Sequence, residues 1–171
     1  MKKNFPKRIA IIGLPGSGKS TFAIELGKVL SVPVHHLDRH MFESNGKKKD
    51  KKELLAIEQA MVGEESWIVE GCSMSTLGTR FARADTVIYF RFSRLICIWR
   101  ALKRFFNYNE ALSKTGCSRQ VNWRLLKYIW NFEQEKGPGI EELRKQHPTV
   151  GFLVLKNSKD AMRFIGKFKE Q

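Results

Sequence analysis

The chain has 171 residues and a formal net charge of +14, long enough for one domain with a substantial core and too short for two comfortable ones. Cys72, Cys97 and Cys117 lack C-x-x-C spacing and cannot all pair, which argues against a disulfide framework and for a reducing compartment. No apolar window approaches a membrane span, and the apolar run after Met1-Lys2-Lys3 is short for a secretory signal, so a soluble cytoplasmic protein is expected.

Arg8–Ile12 reads as the first strand, an apolar β-branched run. It leads directly into Gly13-Leu14-Pro15-Gly16-Ser17-Gly18-Lys19-Ser20, which fits G-x-x-x-x-G-K-[ST]. The glycines let the backbone curl so that several N–H groups face one anion, and Lys19 adds a full charge. The helix predicted over Lys19–Leu30, with Phe22, Leu26 and Val29 or Leu30 inward, turns the positive end of its dipole to the same spot. A nucleoside triphosphate, ATP, is the expected occupant, held by Gly13, Pro15, Gly16, Ser17, Gly18, Lys19, Ser20 and Thr21, with the Ser20 hydroxyl on Mg2+.

Pro33–Leu37 is a short second strand, and Lys51–Val62 a helix with Leu54, Leu55, Ile57 and Met61 at helical spacing. Trp67–Val69 and Thr86–Phe92 follow as the third and fourth strands. Arg94–Phe106 is predicted helical, its inner face formed by Leu95, Ile98, Trp99, Leu102 and Phe105. After the weakly patterned Asn107–Ser118 come helices over Val121–Phe132 and Ile140–Lys145, a fifth strand at Val150–Leu155 and a last helix at Asp160–Phe168. Trp123, Tyr128, Trp130 and Phe132 fall at helical spacing and are expected in the core. Strand and helix alternating at this pitch give βαβ units, hence an α/β fold with a parallel sheet between two helical layers, one domain over 1–171.

Ligands of such a sheet sit beyond the carboxyl ends of its strands. Asp38 follows the second strand, placed to take a proton from an attacking hydroxyl or to hold a magnesium-bound water; a helix cap or a surface acid is the alternative. Glu70-Gly71 follows the third, an acid suited to magnesium beside a glycine that permits close approach of a ligand, or else a cap for the next helix. His35, His36 and His40 have no partners at metal-ligand spacing and read as packing or surface residues. Arg100 and Arg104, four apart, share a helix face and could neutralise charge on a moving phosphoryl group. Phe105, Phe106 and Tyr108 open a stretch, about 105–119, suited to a lid that closes over bound nucleotide. The lysines of Lys47-Lys48-Lys49-Asp50-Lys51-Lys52 lack interleaved aromatics and read as a solvated face.

Together these residues resemble the small P-loop kinases of the nucleoside-monophosphate-kinase type, most closely the bacterial adenylate-kinase-like proteins often labelled DNA topology modulation proteins. The resemblance runs from Lys7 to about Phe164. It is carried by the phosphate loop, Leu37-Asp38, Trp67-Ile68-Val69-Glu70-Gly71, Thr76-Leu77 with Arg80 and Arg83-Ala84-Asp85, Trp99-Arg100 with Lys103-Arg104, and the spacing of Gly116-Cys117 to Trp123 and Trp130. It implies a five-stranded parallel sheet, ATP with Mg2+, a helical lid bearing arginines, and an acceptor site between Asp38, Glu70, Gly71 and Arg80. Where adenylate kinases read Asp-Gly-Phe-Pro-Arg, this chain reads Glu70-Gly71-Cys72-Ser73-Met74, without the proline and the arginine that binds the acceptor phosphate.

The favoured function is ATP-dependent phosphoryl transfer to a small acceptor such as a nucleotide, a nucleoside or another hydroxyl compound, by a monomer or homodimer. The alternative is an ATP-binding protein that acts on nucleic acid through its basic surface, with little small-molecule turnover. A regulatory GTPase is disfavoured, because no [NT]-K-x-D occurs and no D-x-x-G follows the third strand.

Overall fold

The computed structural model describes residues 6–41, 49–106 and 123–169, with backbone alone at 104–106. The expected lid therefore lies, beyond its first two backbone positions, outside the described residues, as do Lys47 and Lys48. Among the described residues the order is β1 (Arg8–Gly13), α1 (Lys19–Leu30), β2 (Val34–His36), a 3-10 turn (Leu37–His40), α2 (Lys51–Gly63), β3 (Trp67–Glu70), α3 (Leu77–Arg83), β4 (Thr86–Phe90), α4 (Arg94–Phe106), α5 (Trp123–Gln146), β5 (Gly151–Leu155) and α6 (Ser158–Lys169).

The strands form one parallel sheet in the order β2-β3-β1-β4-β5. Central β1 is flanked on both edges and covered on both faces, so its unbroken apolar run Ile9–Ile12 is fully buried. Right-handed crossovers put α1 on one face and α2, α3, α4 and α5 on the other. α6 returns beside α1, where Phe22 meets the rings of Phe90 at 5.0 Å and Phe164 at 6.1 Å. On the opposite face Phe81 lies 6.3 Å from Phe152 of β5. At the amino end of the sheet, Asp85 accepts from the backbone N–H groups of Lys7 and Arg8 and from the Arg8 guanidinium at 2.7 Å, fastening β1 to the start of β4. No helix among the described residues is long and apolar enough to cross a membrane.

Three expectations are corrected. The two helices expected at Val121–Phe132 and Ile140–Lys145 are one, α5, running through Gly137-Pro138-Gly139. A proline inside a helix costs one hydrogen bond and crowds the preceding turn, but here Ile129, Phe132 and Ile140, on both sides of Pro138, are all buried and hold the axis together. The inner face of α4 is also not the one expected. Leu95 and Trp99 are exposed, 65% and 59%, while Cys97 and Ala101 are fully buried. Finally, Trp123 and Trp130 stand at the surface, and of that aromatic set only Phe132 is fully buried, with Tyr128 half-buried against the core.

Candidate active site

The loop between β1 and α1 is shaped by backbone that only glycine adopts comfortably. Gly16 has φ 79°, and a Cβ there would stand 2.5 Å from the Cys97 carbonyl of α4. Gly13 has φ 130°, and a Cβ would collide with the carbonyl of Phe90 in β4. The loop is thus pressed between two backbones. Its interior is tied by the Leu14 carbonyl, which accepts from the Ser17 hydroxyl at 2.7 Å and from the Lys19 ammonium at 2.8 Å. The cap of α1 is Gly18, which has no side chain to take up the first-turn N–H groups, so these remain directed at whatever anion the loop holds.

Beside the loop, side chains from α1 and β2 meet on Glu70 of β3, which is 2% exposed. Its Oε2 accepts from the Ser20 hydroxyl at 3.1 Å and lies 3.1 Å from His36 Nδ1, and Oε1 lies 3.9 Å from Lys19 Nζ. The parallel register explains the meeting, since Glu70 pairs with Ile11 of β1 on one side and His36 of β2 on the other. Burial pushes the carboxyl up, but the His36 hydrogen bond, the Lys19 charge and the Ser20 hydroxyl outweigh it and hold Glu70 below its usual range. An ionised Glu70 accepts, so His36 Nδ1 is the donor. His36, read from the sequence as packing or surface, is part of this cluster; the visible signal was its place at the end of a strand adjoining the acid.

Asp38 sits in the 3-10 turn after β2, facing Gly71, where a Cβ would come within 3.2 Å of its Oδ1. It opens to solvent at the crevice mouth, yet protein crowds it on the inner side. That partial desolvation, reinforced by the charge of Glu70, raises its pKa despite Lys19, Arg80 and His36 nearby. A carboxyl so raised beside an ionised neighbour suits proton uptake from a hydroxyl. Ser20 and Glu70, an alcohol and a carboxylate at one hydrogen-bonded spot beside the loop, fit the donor set Mg2+ takes when substrate phosphates and water supply the rest. Among the described residues no group of three or more His, Cys, Asp or Glu is placed to cage a metal.

Arg80, by contrast, is fully buried. Its Nε donates to Glu58 at 2.9 Å, and its terminal nitrogens donate to the carbonyls of Gly71 at 2.6 Å and Ser73 at 3.0 Å. Thr76 donates to the other oxygen of Glu58. These bonds fasten the segment after β3 to α2 and α3. Glu58 was not singled out from the sequence, although an acid on the Leu54–Met61 stripe of α2 is itself the sign of a buried partner. Arg100 lies at the loop, its guanidinium donating to the Ser17 carbonyl at 3.3 Å and to the Ser158 hydroxyl at 2.9 Å, and passing 3.8 Å from where a Gly18 Cβ would be. Arg104 lies one turn further along the α4 backbone.

No protein-family model matches the chain, and no curated protein sequence matches it. Solved structures do. A shikimate kinase from Bacteroides thetaiotaomicron superposes with a TM-score of 0.64 at 12% identity, covering 97% of this chain and 98% of that one. A shikimate kinase from Acinetobacter baumannii, solved in complex with shikimate, gives 0.64 at 14% identity, covering 96% and 91%. At such identity the likeness is one of fold, and the fold is that of the P-loop NTPases: five parallel strands in an α/β arrangement around the phosphate loop.

Proposed function

We propose that the chain is a kinase that moves the terminal phosphoryl group of ATP to a hydroxyl of a small molecule. The observation that carries this is the pair of carboxylates beside the loop, Glu70 ionised and bonded to Ser20, and Asp38 crowded and raised next to it. Both structural neighbours named above are kinases, and one of them held a small molecule. The acceptor itself is left open, because the segment after β3 lacks the arginine that adenylate kinases place there, and Arg80 is spent on carbonyls.

The roles follow from position. The loop amides, with Lys19, receive the phosphates; Lys19 leaves the Leu14 carbonyl by rotation of its own flexible stem. Ser20 and Glu70 hold Mg2+, which neutralises phosphate charge when bound. Asp38 accepts the proton of the attacking hydroxyl. Arg100, lodged between the loop and Ser158, adds a cation on the α4 side, and Arg104, one turn further along the same helix in the sequence, is the second arginine assigned to the moving phosphoryl group. Arg80 acts as a positioning residue that fixes Gly71 rather than as an acceptor ligand.

Lys19→Ala and Asp38→Asn test the assignment together. Lys19→Ala is expected to weaken triphosphate binding in a nucleotide titration and to abolish turnover. Asp38→Asn should bind ATP normally and lose acceptor-dependent ADP release by about 10²–10⁴-fold in a screen of nucleotides, nucleosides and hydroxyl metabolites. Unchanged nucleotide affinity in Lys19→Ala removes the loop from the mechanism.

A second reading, ATP binding coupled to nucleic acid, draws on exposed Trp99 beside Lys103, with the ammonium 5.1 Å from the ring, and on exposed Trp123, Arg124 and Lys127 of α5. Salt-steep DNA affinity without ADP release for any acceptor would favour it.

A further inference from the structure

Two carboxylates flank the phosphate loop, and they are held in different ways. Glu133 of α5 accepts from the Tyr89 hydroxyl at 2.7 Å and pairs with Arg91 at 2.7 Å, and among the described residues no hydrogen bond joins it to the loop. Glu70 is bonded to Ser20, the residue that closes the loop motif, at 3.1 Å. A glutamate turns about three side-chain bonds, so a carboxylate that must present one oxygen to a cation needs a partner that stays in place.

Lys19 is not that partner. Its ammonium stands 3.9 Å from Oε1, is shared with the Leu14 carbonyl at 2.8 Å, and turns to the phosphates in the roles given above. Ser20 cannot serve alone either, because its oxygen is itself offered to the metal. His36 remains. It lies outside the loop in β2, is buried, and places Nδ1 3.1 Å from Oε2 of Glu70. The sheet dictates the meeting, since His36 and Glu70 are register partners on adjacent parallel strands and their side chains rise on one face.

The two oxygens of Glu70 divide the work. Oε2 accepts from both Ser20 and His36, while among the described residues Oε1 has only the Lys19 charge beside it. A Ser20 proton directed at Oε2 leaves the lone pairs of that hydroxyl unspent. We infer that His36 is the positioning residue of the metal pair: its Nδ1–H, anchored in β2, ties Oε2 so that Oε1 and the Ser20 oxygen stay available to Mg2+. This rests on the reading of Ser20 and Glu70 as the residues that hold Mg2+. Removing a hydrogen-bonded partner from behind a metal ligand typically costs about 10–100-fold in metal affinity or activity.

The test measures ADP affinity by calorimetry in Mg2+ and again in EDTA, so that the ratio of the two reports the metal. The parent is expected to bind ADP more tightly in Mg2+. In His36→Phe, which keeps a ring and removes the donor, that gain should fall about tenfold or vanish, with the affinity in EDTA unchanged. His36→Asn puts an uncharged amide N–H where Nδ1 stands and should restore most of the gain. If the phenyl ring is not tolerated, His36→Leu supplies the variant without a donor. An equal Mg2+ gain in the parent and the donorless variant overturns the role of His36, and so does an equal loss of affinity in both media that Asn fails to rescue. The underlying readings fail separately. No Mg2+ gain in the parent removes Ser20 and Glu70 from the metal, and His36 with them, whereas an intact gain without ADP release for any acceptor sinks the kinase and leaves His36 its role.

Discussion

On the β3 side of the phosphate loop the side chains have already found one another; on the β4 side several still face solvent. Glu70, His36 and Lys19 are buried and bonded or paired with one another and with half-buried Ser20, and Arg80 and Glu58 pair nearby at 0% exposure. Across β1, Arg91 and Arg94 line an open cavity, and α4 turns Leu95, Ile96, Trp99 and Leu102 outward. The difference is that a buried ion must be matched where it stands, whereas an exposed cation can wait for its partner. The first side is preorganised and the second is receptive.

The largest expected effect strikes the matched side. Arg80→Ala would leave Glu58 buried and uncompensated and the carbonyls of Gly71 and Ser73 without their donor, at a cost of about 3–5 kcal/mol in urea unfolding. Replacing both partners, Arg80→Leu with Glu58→Leu, should cost less than Arg80→Ala alone. If the double variant is the weaker protein, the pair is not what holds the segment after β3.

Gly16→Ala acts at the boundary between the two sides. A methyl group at φ 79° against the Cys97 carbonyl has no unstrained place, so a loss of about 1–3 kcal/mol is expected together with weaker nucleotide binding. Full nucleotide affinity at full stability would show that the loop is not clamped between β4 and α4.

How legible was this arrangement? The β1–loop–α1 unit is local, written in contiguous residues, and the helix bounds Lys19–Leu30 agree to the residue. The strand-end rule singles out Asp38 and Glu70 from topology without distances, and the structure places Glu70 at the end of β3 and Asp38 in the turn after β2. Arg80 and Glu58 were not resolved as a pair, because residues 22 apart reveal a contact only once α2 and α3 are packed. The sequence places helices over Val121–Phe132 and Ile140–Lys145 and none between them, where Gly137-Pro138-Gly139 disfavours a helix locally; burial on both sides of Pro138 overrides that propensity. The cavity draws on the phosphate loop, the segment between β4 and α4, and α5 at once, and no single stretch announces it.

Acid sharpens the comparison further. Glu70 is held below its usual value of 4.5 in the folded protein. A depressed carboxyl contributes stability above its unfolded pKa and loses it as pH falls through the folded one. The difference in Tm between the parent and Glu70→Gln should therefore be widest near neutrality and narrow steadily below pH of about 4.5. Glu133→Gln, on the partly exposed β4 side, should show a smaller difference at neutrality. Equal behaviour of the two would erase the distinction between matched and receptive sides.

The smallest effect is the most pointed, because it concerns the face of α4 that sequence pattern misplaces. Large apolar residues ordinarily mark the inner face of a helix, yet α4 lies so close to the phosphate loop that the Cys97 carbonyl nearly meets Gly16, and only small residues such as Cys97 and Ala101 fit inward. Trp99→Gln should then change stability by no more than about 0.5 kcal/mol. Ala101→Leu, apparently the milder change, should cost about 1–3 kcal/mol by overpacking and should weaken nucleotide binding, since pressure on α4 reaches Gly16 and Arg100. Unfolding curves of the two variants, read beside an ADP titration, decide the matter. A stability loss larger for Trp99→Gln than for Ala101→Leu would mean that the outward face of α4 is covered in solution and that the close approach to the loop is not what selects its small residues.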